Sequence, residues 1–421
     1  MSKKKELVPK RRFKEFENAP AWKQRKLMNL YKEGASGGTP NTSKTEYYNG
    51  CIPFLGISDI TNSNGYIHKT EKTITIEGLN NSTSWLVPSE SISLAMYASV
   101  GKVAILKTNV ATSQAFYNMV FNDLTKRDFI FQYLLKTEVE NGWEENISTG
   151  TQGNLNAAKV KSFKVNIPIS SKEQRKISDF LFNLDNLITR HQRKLEKMKE
   201  LKKSYLSEMF PAEGERKPKR RFAGFTDDWE QRKLGDVAQF SKGRGYARND
   251  LRPSGKEIIL YGSLYTAYQT LITSSNCFVH EKDNSVFSTG KEIVVPSSGE
   301  TAEDIARASA VQKAGIILGG DLNIIHPIEE INPIFLALEV TNGSPKYELE
   351  KMAQGKSVVH IHNSDLSEIV ISYPDQLEQK KIEVFFAEID SIITLHQRKL
   401  EKLKNIKKAY LNEMFPRTER E

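Results

Sequence analysis

Cysteine is scarce, with two in 421 residues, so the chain cannot carry a disulfide framework. Nor does any Cys or His cluster stand at zinc-ligand spacing, and no structural metal is expected. No apolar run approaches the roughly eighteen residues that a membrane-spanning helix needs. The opening MSKKKELVPKRRFKEF is basic but lacks the apolar stretch of a secretion signal. Together these absences point to a reducing, cytoplasmic setting.

What is present has the balance of a globular protein, 38% hydrophobic and 27% charged. The length allows two or three domains with sizeable cores. A net charge of +9 and a pI near 9.1 favour a polyanionic partner. The segments 191–205 and 396–410 each hold six basic residues, against two and one acidic ones, which accounts for that whole excess. The rest of the chain is close to neutral.

The chain repeats itself. HQRKLEKMKELKKSYLSEMFP (191–211) returns as HQRKLEKLKNIKKAYLNEMFP (396–416), identical at 16 of 21 positions and 205 residues later. Each unit also opens alike: RRFKEF with WKQRKL (11–27) is answered by RRFAGF with WEQRKL (220–234). Between these bookends little is shared beyond a Gln-Gly pair at 152–153 and 354–355. The frame repeats and its contents differ, as suits one geometry used twice with different surface chemistry.

The repeated segments have a 4-3 apolar alternation. Ile177, Leu181, Leu184, Ile188, His191, Leu195, Met198, Lys202, Tyr205 and Met209 form one seam. Ile382, Phe386, Ile389, Ile393, His396, Leu400, Leu403, Lys407, Tyr410 and Met414 form the other. Such a/d stripes predict coiled-coil helices. Ser170 with Glu173, and Asp375 with Glu378, predict capping boxes at their starts. Pro211 and Pro416 end them. The His and Lys on each seam are expected to be register-setting polar layers. About 39 residues at 1.5 Å each make a helix roughly 58 Å long. A whole domain separates the two helices, so antiparallel pairing with an approximate two-fold axis is expected.

The stretches between are turn-rich (EGASGGTPNTSK, EGLNNSTS) with short strand-like runs such as SISLAMYASVGKVAIL, KEIILYG and GIILGGDLNII. The expected fold is α+β: two domains rich in twisted β-sheet, separated by two long antiparallel coiled-coil helices with pseudo-two-fold symmetry. The expected boundaries are a frame segment at 1–21, a first domain at 22–168 and a helix at 169–211. A linker at 212–228, a second domain at 229–373, a second helix at 374–416 and a tail at 417–421 complete the chain.

At these residues the chain resembles a known family, the specificity subunits of type I restriction-modification enzymes. GGTP, YNGCIPFLGISD (48–59), LVPSESISLAMYASVGKVAIL and TSQAF are similar to that family's target recognition domain. GRGYARNDL, LYGSLYTAY and SSGE resemble another variant of it, and the LDNLI-to-HQRKLEK helices resemble its central and distal repeats. The resemblance implies a non-catalytic subunit in which each recognition domain reads one half of a split double-stranded DNA target. The helices would space the halves and dock two adenine methyltransferase (modification) subunits, which motor-nuclease restriction subunits would join. It assigns no cofactor to this chain. S-adenosylmethionine, ATP and Mg belong to the partners.

Three segments imitate catalytic motifs and fail on their details. GGTPNTSKT (37–45) has Ser43 where a P-loop needs its second glycine to let backbone N–H groups wrap a phosphate. In PDQLEQK (374–380), Asp375 and Glu378 fall within one helical turn, too close for a nuclease constellation. In NPIF (332–335), Ile334 replaces the second proline of a methyltransferase motif, and a proline-initiated helix accounts for it. His360 and His362 are two apart, but no third ligand joins them.

DNA contacts are therefore expected from polar loops, whose amides and cations match base edges and phosphates. The candidates are Ser58, Tyr97, Gln114, Gln152 and Asn154 in the first domain. In the second they are Arg244, Tyr246, Tyr261, Ser263, Ser298 and Lys356. For the tyrosines, packing within the fold is an equal expectation. Two other readings compete: a stand-alone DNA methyltransferase, which requires a cofactor site, and a coiled-coil scaffold without a DNA role.

Overall fold

Two helices of 38 residues, Ser171–Glu208 and Gln376–Glu413, dominate the chain. The computed structural model describes residues 7–144, 155–266, 268–299, 301–353 and 359–416. Its contacts divide it into two units, Met1–Arg193 with His396–Glu421, and Lys194–Leu395. Each unit holds one sheet-rich domain, the start of one long helix and the end of the other.

In the first unit a five-stranded sheet runs in the order Glu33–Ser36, Phe116–Val120, Ile92–Ala95, Val103–Leu106, Tyr66–Ile67. The first three pairings are antiparallel and the last is parallel. Its central strands are buried on both faces, which explains the unbroken apolar character of their sequence. Alternate residues divide between two cores. Ile92, Leu94, Val103 and Ile105 pack toward helix Leu124–Val139 and toward Ile177 and Leu181 of the first long helix. Ala95, Ala104 and Leu106 face a cluster with Leu55, Val87 and Val110. A second sheet orders Lys72–Ile74, Tyr48–Phe54, Val110–Thr112 and Trp85–Val87.

The second unit has the same central sheet built from unrelated sequence. Its order is Ala238–Lys242, Leu322–Pro327, Ile293–Pro296, Ser309–Val311, Leu271–Ile272, with the same three antiparallel pairings and one parallel. Beside it, Phe278–Val279, Lys256–Ile259 and Ile317–Leu318 form three strands. Where the first unit has a fourth, a single bridge joins Phe287 and Ile317.

The repeated residues close each domain onto its helices. Lys23–Lys26 pairs with Lys164–Ile167 in one unit, and Glu230–Lys233 with Val370–Tyr373 in the other. Arg12 grips the Glu173 carboxylate through Nε and Nη2, both at 2.7 Å, and the Trp22 indole donates to the same group at 3.2 Å. Arg221 holds Glu378 in the same fork, again at 2.7 Å twice. Arg11 bonds Glu413, and Arg220 bonds Glu208, each at 2.6 Å. These forks correct the capping-box expectation. Asp375 does accept the Glu378 backbone N–H at 2.9 Å, but both glutamate carboxylates are turned inward to an arginine of the frame.

Within each unit the two helix segments run antiparallel. In the first, Phe180 meets Tyr410 with ring centroids 4.7 Å apart, Asp185 pairs with Lys407 at 2.6 Å, and His191 Nδ1 lies 3.0 Å from His396 Nδ1. In the second, Tyr205 meets Phe385 at 4.9 Å and Lys202 pairs with Asp390 at 2.6 Å. The seam lysines are thus fixed by aspartates that lie off the apolar stripe. Ile177, Leu181, Leu184 and Leu195 are buried, as are Ile382, Phe386 and Ile389, whereas Ile188, Ile393 and Leu400 are half-buried.

Candidate nucleic-acid interface

The order of each central sheet gathers particular loops at one end. Strand Glu33–Ser36 finishes where Phe116–Val120 begins, beside the end of Ile92–Ala95. The turns 37–40, 113–115 and 96–101 therefore share an edge, joined by helix Ile57–Asn62, which leads into Tyr66–Ile67. The first long helix docks at the opposite end, where Arg175 Nη2 donates to Thr125 Oγ1 at 3.0 Å. The edge is left free of the helical frame.

Close backbone packing locks these turns together. A Cβ on Gly37 would lie 1.9 Å from the Thr112 carbonyl oxygen, so only glycine fits there. Thr39 Oγ1 donates to Gln114 Oε1 at 2.9 Å, and the Ala115 carbonyl accepts from Met96 N at 2.8 Å. The loop after Met96 puts Ala98 and Ser99 at positive φ of 32° and 56° and leaves Tyr97 41% exposed. Backbone held in sparsely populated regions is frequent in ligand-contacting loops. Ser99 Oγ meets Thr61 Oγ1 at 3.1 Å, tying in the helix that carries Ser58. Ser58 itself donates to Glu71 Oε2 at 2.9 Å. Ser58, Tyr97 and Gln114 are all exposed.

The second unit assembles the corresponding edge. A Cβ on Gly243 would stand 1.9 Å from the Gly319 carbonyl, matching Gly37 on Thr112. Gly320 N donates to the Gly245 carbonyl at 2.7 Å, and the Asp321 carbonyl accepts from Ser297 N at 2.8 Å. One turn, Gly319–Gly320–Asp321, thus links the Arg244 turn to Ser298. Arg244 is exposed, and no described residue pairs with its guanidinium. Ser263, on the short helix Ser263–Thr266, donates to the Leu260 carbonyl at 2.6 Å, and Tyr261 packs edge-on to Tyr265 at 6.1 Å. Tyr246 is 8% exposed; its hydroxyl lies 2.6 Å from Ser285 Oγ and accepts from Lys282 N at 2.7 Å. Tyr246 packs inward.

Ser58 and Ser263 thus occupy equivalent short helices, and Tyr97 and Ser298 equivalent strand ends. Gln152, Asn154 and Lys356 lie outside the described residues, as do the Gln-Gly pairs at 152–153 and 354–355. Thr39 and the Gly319–Asp321 turn also belong to these edges, outside the polar-loop candidates. The paired glycines before short polar residues (GGTP, LGGD) were the available signal for such close approach.

The segments that imitate catalytic motifs have structural roles. Asn332 caps helix Pro333–Asn342 by accepting from Ile334 N and Phe335 N at 2.9 and 3.0 Å. His362 N donates to Asp365 at 2.8 Å, opening a short helix. Among the described residues no cluster of three or more His, Cys, Asp or Glu could hold a metal ion. No described helix is long and apolar enough to cross a membrane.

The type I restriction modification DNA specificity domain matches twice, over residues 21–200 and 226–405. The MjaIX specificity subunit, from a type I restriction enzyme of Methanocaldococcus jannaschii, is 26% identical over 414 residues, spanning 93% of this chain and 91% of that protein. The S subunit of a type I restriction-modification system from M. genitalium superposes with a TM-score of 0.64 at 15% identity, covering 98% of this chain and 100% of that one. A chain from a structural study of complex assembly and conformational transition of the type I R-M system superposes at 0.52 with 13% identity, covering 94% and 97%. With one sheet and one frame built twice, and one family domain matched twice over most of its length, the chain belongs to the type I restriction-modification specificity subunits, a non-catalytic family.

Proposed function

We propose that each sheet-rich domain reads one half of a bipartite double-stranded DNA target and that the two long helices set the spacing between the halves. The helices also dock two modification subunits, which methylate adenine with S-adenosylmethionine, and motor-nuclease subunits that use ATP and Mg join them. This chain supplies selection of the site and no cofactor of its own.

The observation that carries this reading is the pair of equivalent loop edges. Both stand at the same end of the same sheet, yet they present different side chains (exposed Tyr97 and Gln114 against exposed Arg244 and half-buried Ser298). Equal geometry with unequal chemistry suits two different half-sites. Backbone hydrogen bonds and close glycine contacts hold the loops, so their polar groups are presented with little entropy left to lose on binding. The basic segments 191–205 and 396–410 add charge suited to phosphates or to an acidic partner surface.

The test is to sequence the methylome of cells carrying this chain with its modification subunit. A two-part methylated motif interrupted by an unspecified spacer is expected. Methylation without a motif, or at a single continuous one, contradicts the proposal. Binding of S-adenosylmethionine by the purified chain alone would instead favour a stand-alone methyltransferase.

A further inference from the structure

The Thr39–Gln114 hydrogen bond joins two exposed side chains on separate turns of the first domain's loop edge. Neither turn is free to drift. Gly37 is pressed onto the Thr112 carbonyl, and Tyr48 donates its hydroxyl to the Pro40 carbonyl at 2.6 Å. Beneath Gln114, the buried Thr112 Oγ1 accepts from Asn118 Nδ2 at 2.8 Å, and Asn118 Oδ1 accepts from Ser93 Oγ at 2.8 Å. The Gln114 amide is therefore exposed yet oriented. Thr39 holds the amide by its oxygen end, and that oxygen keeps a second lone pair. No described residue accepts from Nε2.

A fixed amide with one acceptor and one donor side by side has a specific complement in the major groove. Adenine presents an N6 donor beside an N7 acceptor, whereas guanine presents two acceptors, O6 and N7. We infer that Gln114 reads an adenine in the half-site of the first domain, with Thr39 as its positioning residue. The inference rests on the reading that this domain contacts one half of a DNA target. At the corresponding turn of the second domain, Gly320 stands where Gln114 does and the turn's exposed side chain is the carboxylate of Asp321, which lacks an amide's donor, so this reader belongs to the first half-site alone.

The experiment uses the full chain assembled with its modification subunits and a DNA library randomised across both half-sites. Wild type, Gln114→Ala, Thr39→Val and Thr39→Ser are compared by enrichment. In Gln114→Ala, preference at one A·T position of one half-site should fall about 5- to 150-fold while the other half-site is unchanged. Thr39→Val should weaken the same position, and Thr39→Ser, which keeps the hydroxyl, should restore it. Unchanged preference in Gln114→Ala overturns the inference, as does loss at a G·C position. A collapse of both half-sites does the same, because it marks a structural role. If the wild-type complex selects no two-part motif, the parent reading fails, a result distinct from an intact motif that Gln114→Ala leaves unaltered.

Discussion

Glu378 and Arg221 have side chains only 1% and 14% exposed, so each charge depends on the other for what water would otherwise supply. The arginine's pKa is raised by its hydrogen bond to the glutamate. Glu378→Ala should cost the second unit about 3–5 kcal/mol in denaturant unfolding, because it strands a buried guanidinium. Replacing both residues with methionine should recover most of that loss. Glu339 is the opposite case, a fully buried acid whose Oε1 accepts from Ser372 N at 3.1 Å while Oε2 has no hydrogen-bond partner. Burial pushes its pKa up to about 8. A raised carboxyl pKa favours folding fully below the unfolded value, and that contribution is lost as pH rises through the folded one. Glu339→Gln should therefore gain on wild type progressively from about pH 4.5 to 8, by on the order of 5 kcal/mol in all. A pH-independent difference in melting or denaturant midpoint would contradict this.

At the scale of elements, the seam carries the clearest sequence signal, because a 3.5-residue period survives any detail of the flanking chemistry. The ruler reading makes that period testable. Seven residues added to each long helix keep the seam in phase and lengthen it by about 10 Å, roughly three base pairs. The preferred spacer should grow or binding should fail; an unchanged spacer at full affinity contradicts the role. Legibility then falls off for physical reasons. The repeat marked Arg12 and Arg221 as shared, while local rules paired Glu173 and Glu378 each with its own helix cap. Only the fold brings the arginine to it across 161 or 157 positions. The equivalence of the two central sheets was legible only through the family resemblance and not in the strand residues themselves. A strand buried on both faces needs only apolar bulk, so Ile92–Ala95 and Ile293–Pro296 satisfy one position with different residues. For the loops, polarity was enough to expect Gln114 and Arg244 at the surface, where they lie, but it could not distinguish exposed Tyr97 from inward-packed Tyr246. That choice is made by distant partners, Ser285 and Lys282.

For the whole molecule, the near-identity of the helix ends has a consequence. In the first unit, Leu411, Met414 and Phe415 are buried against Trp22 and Phe129. In the second, Met209 and Phe210 have the same place against Trp229 and Phe335, with Leu206 partly buried there. A chain ending at Glu213 lacks the first set but carries the second. Two copies should therefore complete each other, with Glu208 of one meeting Arg11 of the other as Glu413 now does. Light scattering should give a dimer mass, and with the modification subunit the methylated site should be a palindrome of the first half-site. A stable monomer contradicts the interchangeability of the halves. The central claim, two independent readers on one repeated frame, is tested most directly by exchanging residues 229–373 for another recognition domain and sequencing the methylome. The account predicts that one half of the target changes while the other half and the spacer stay as they were. A change in both halves would contradict it.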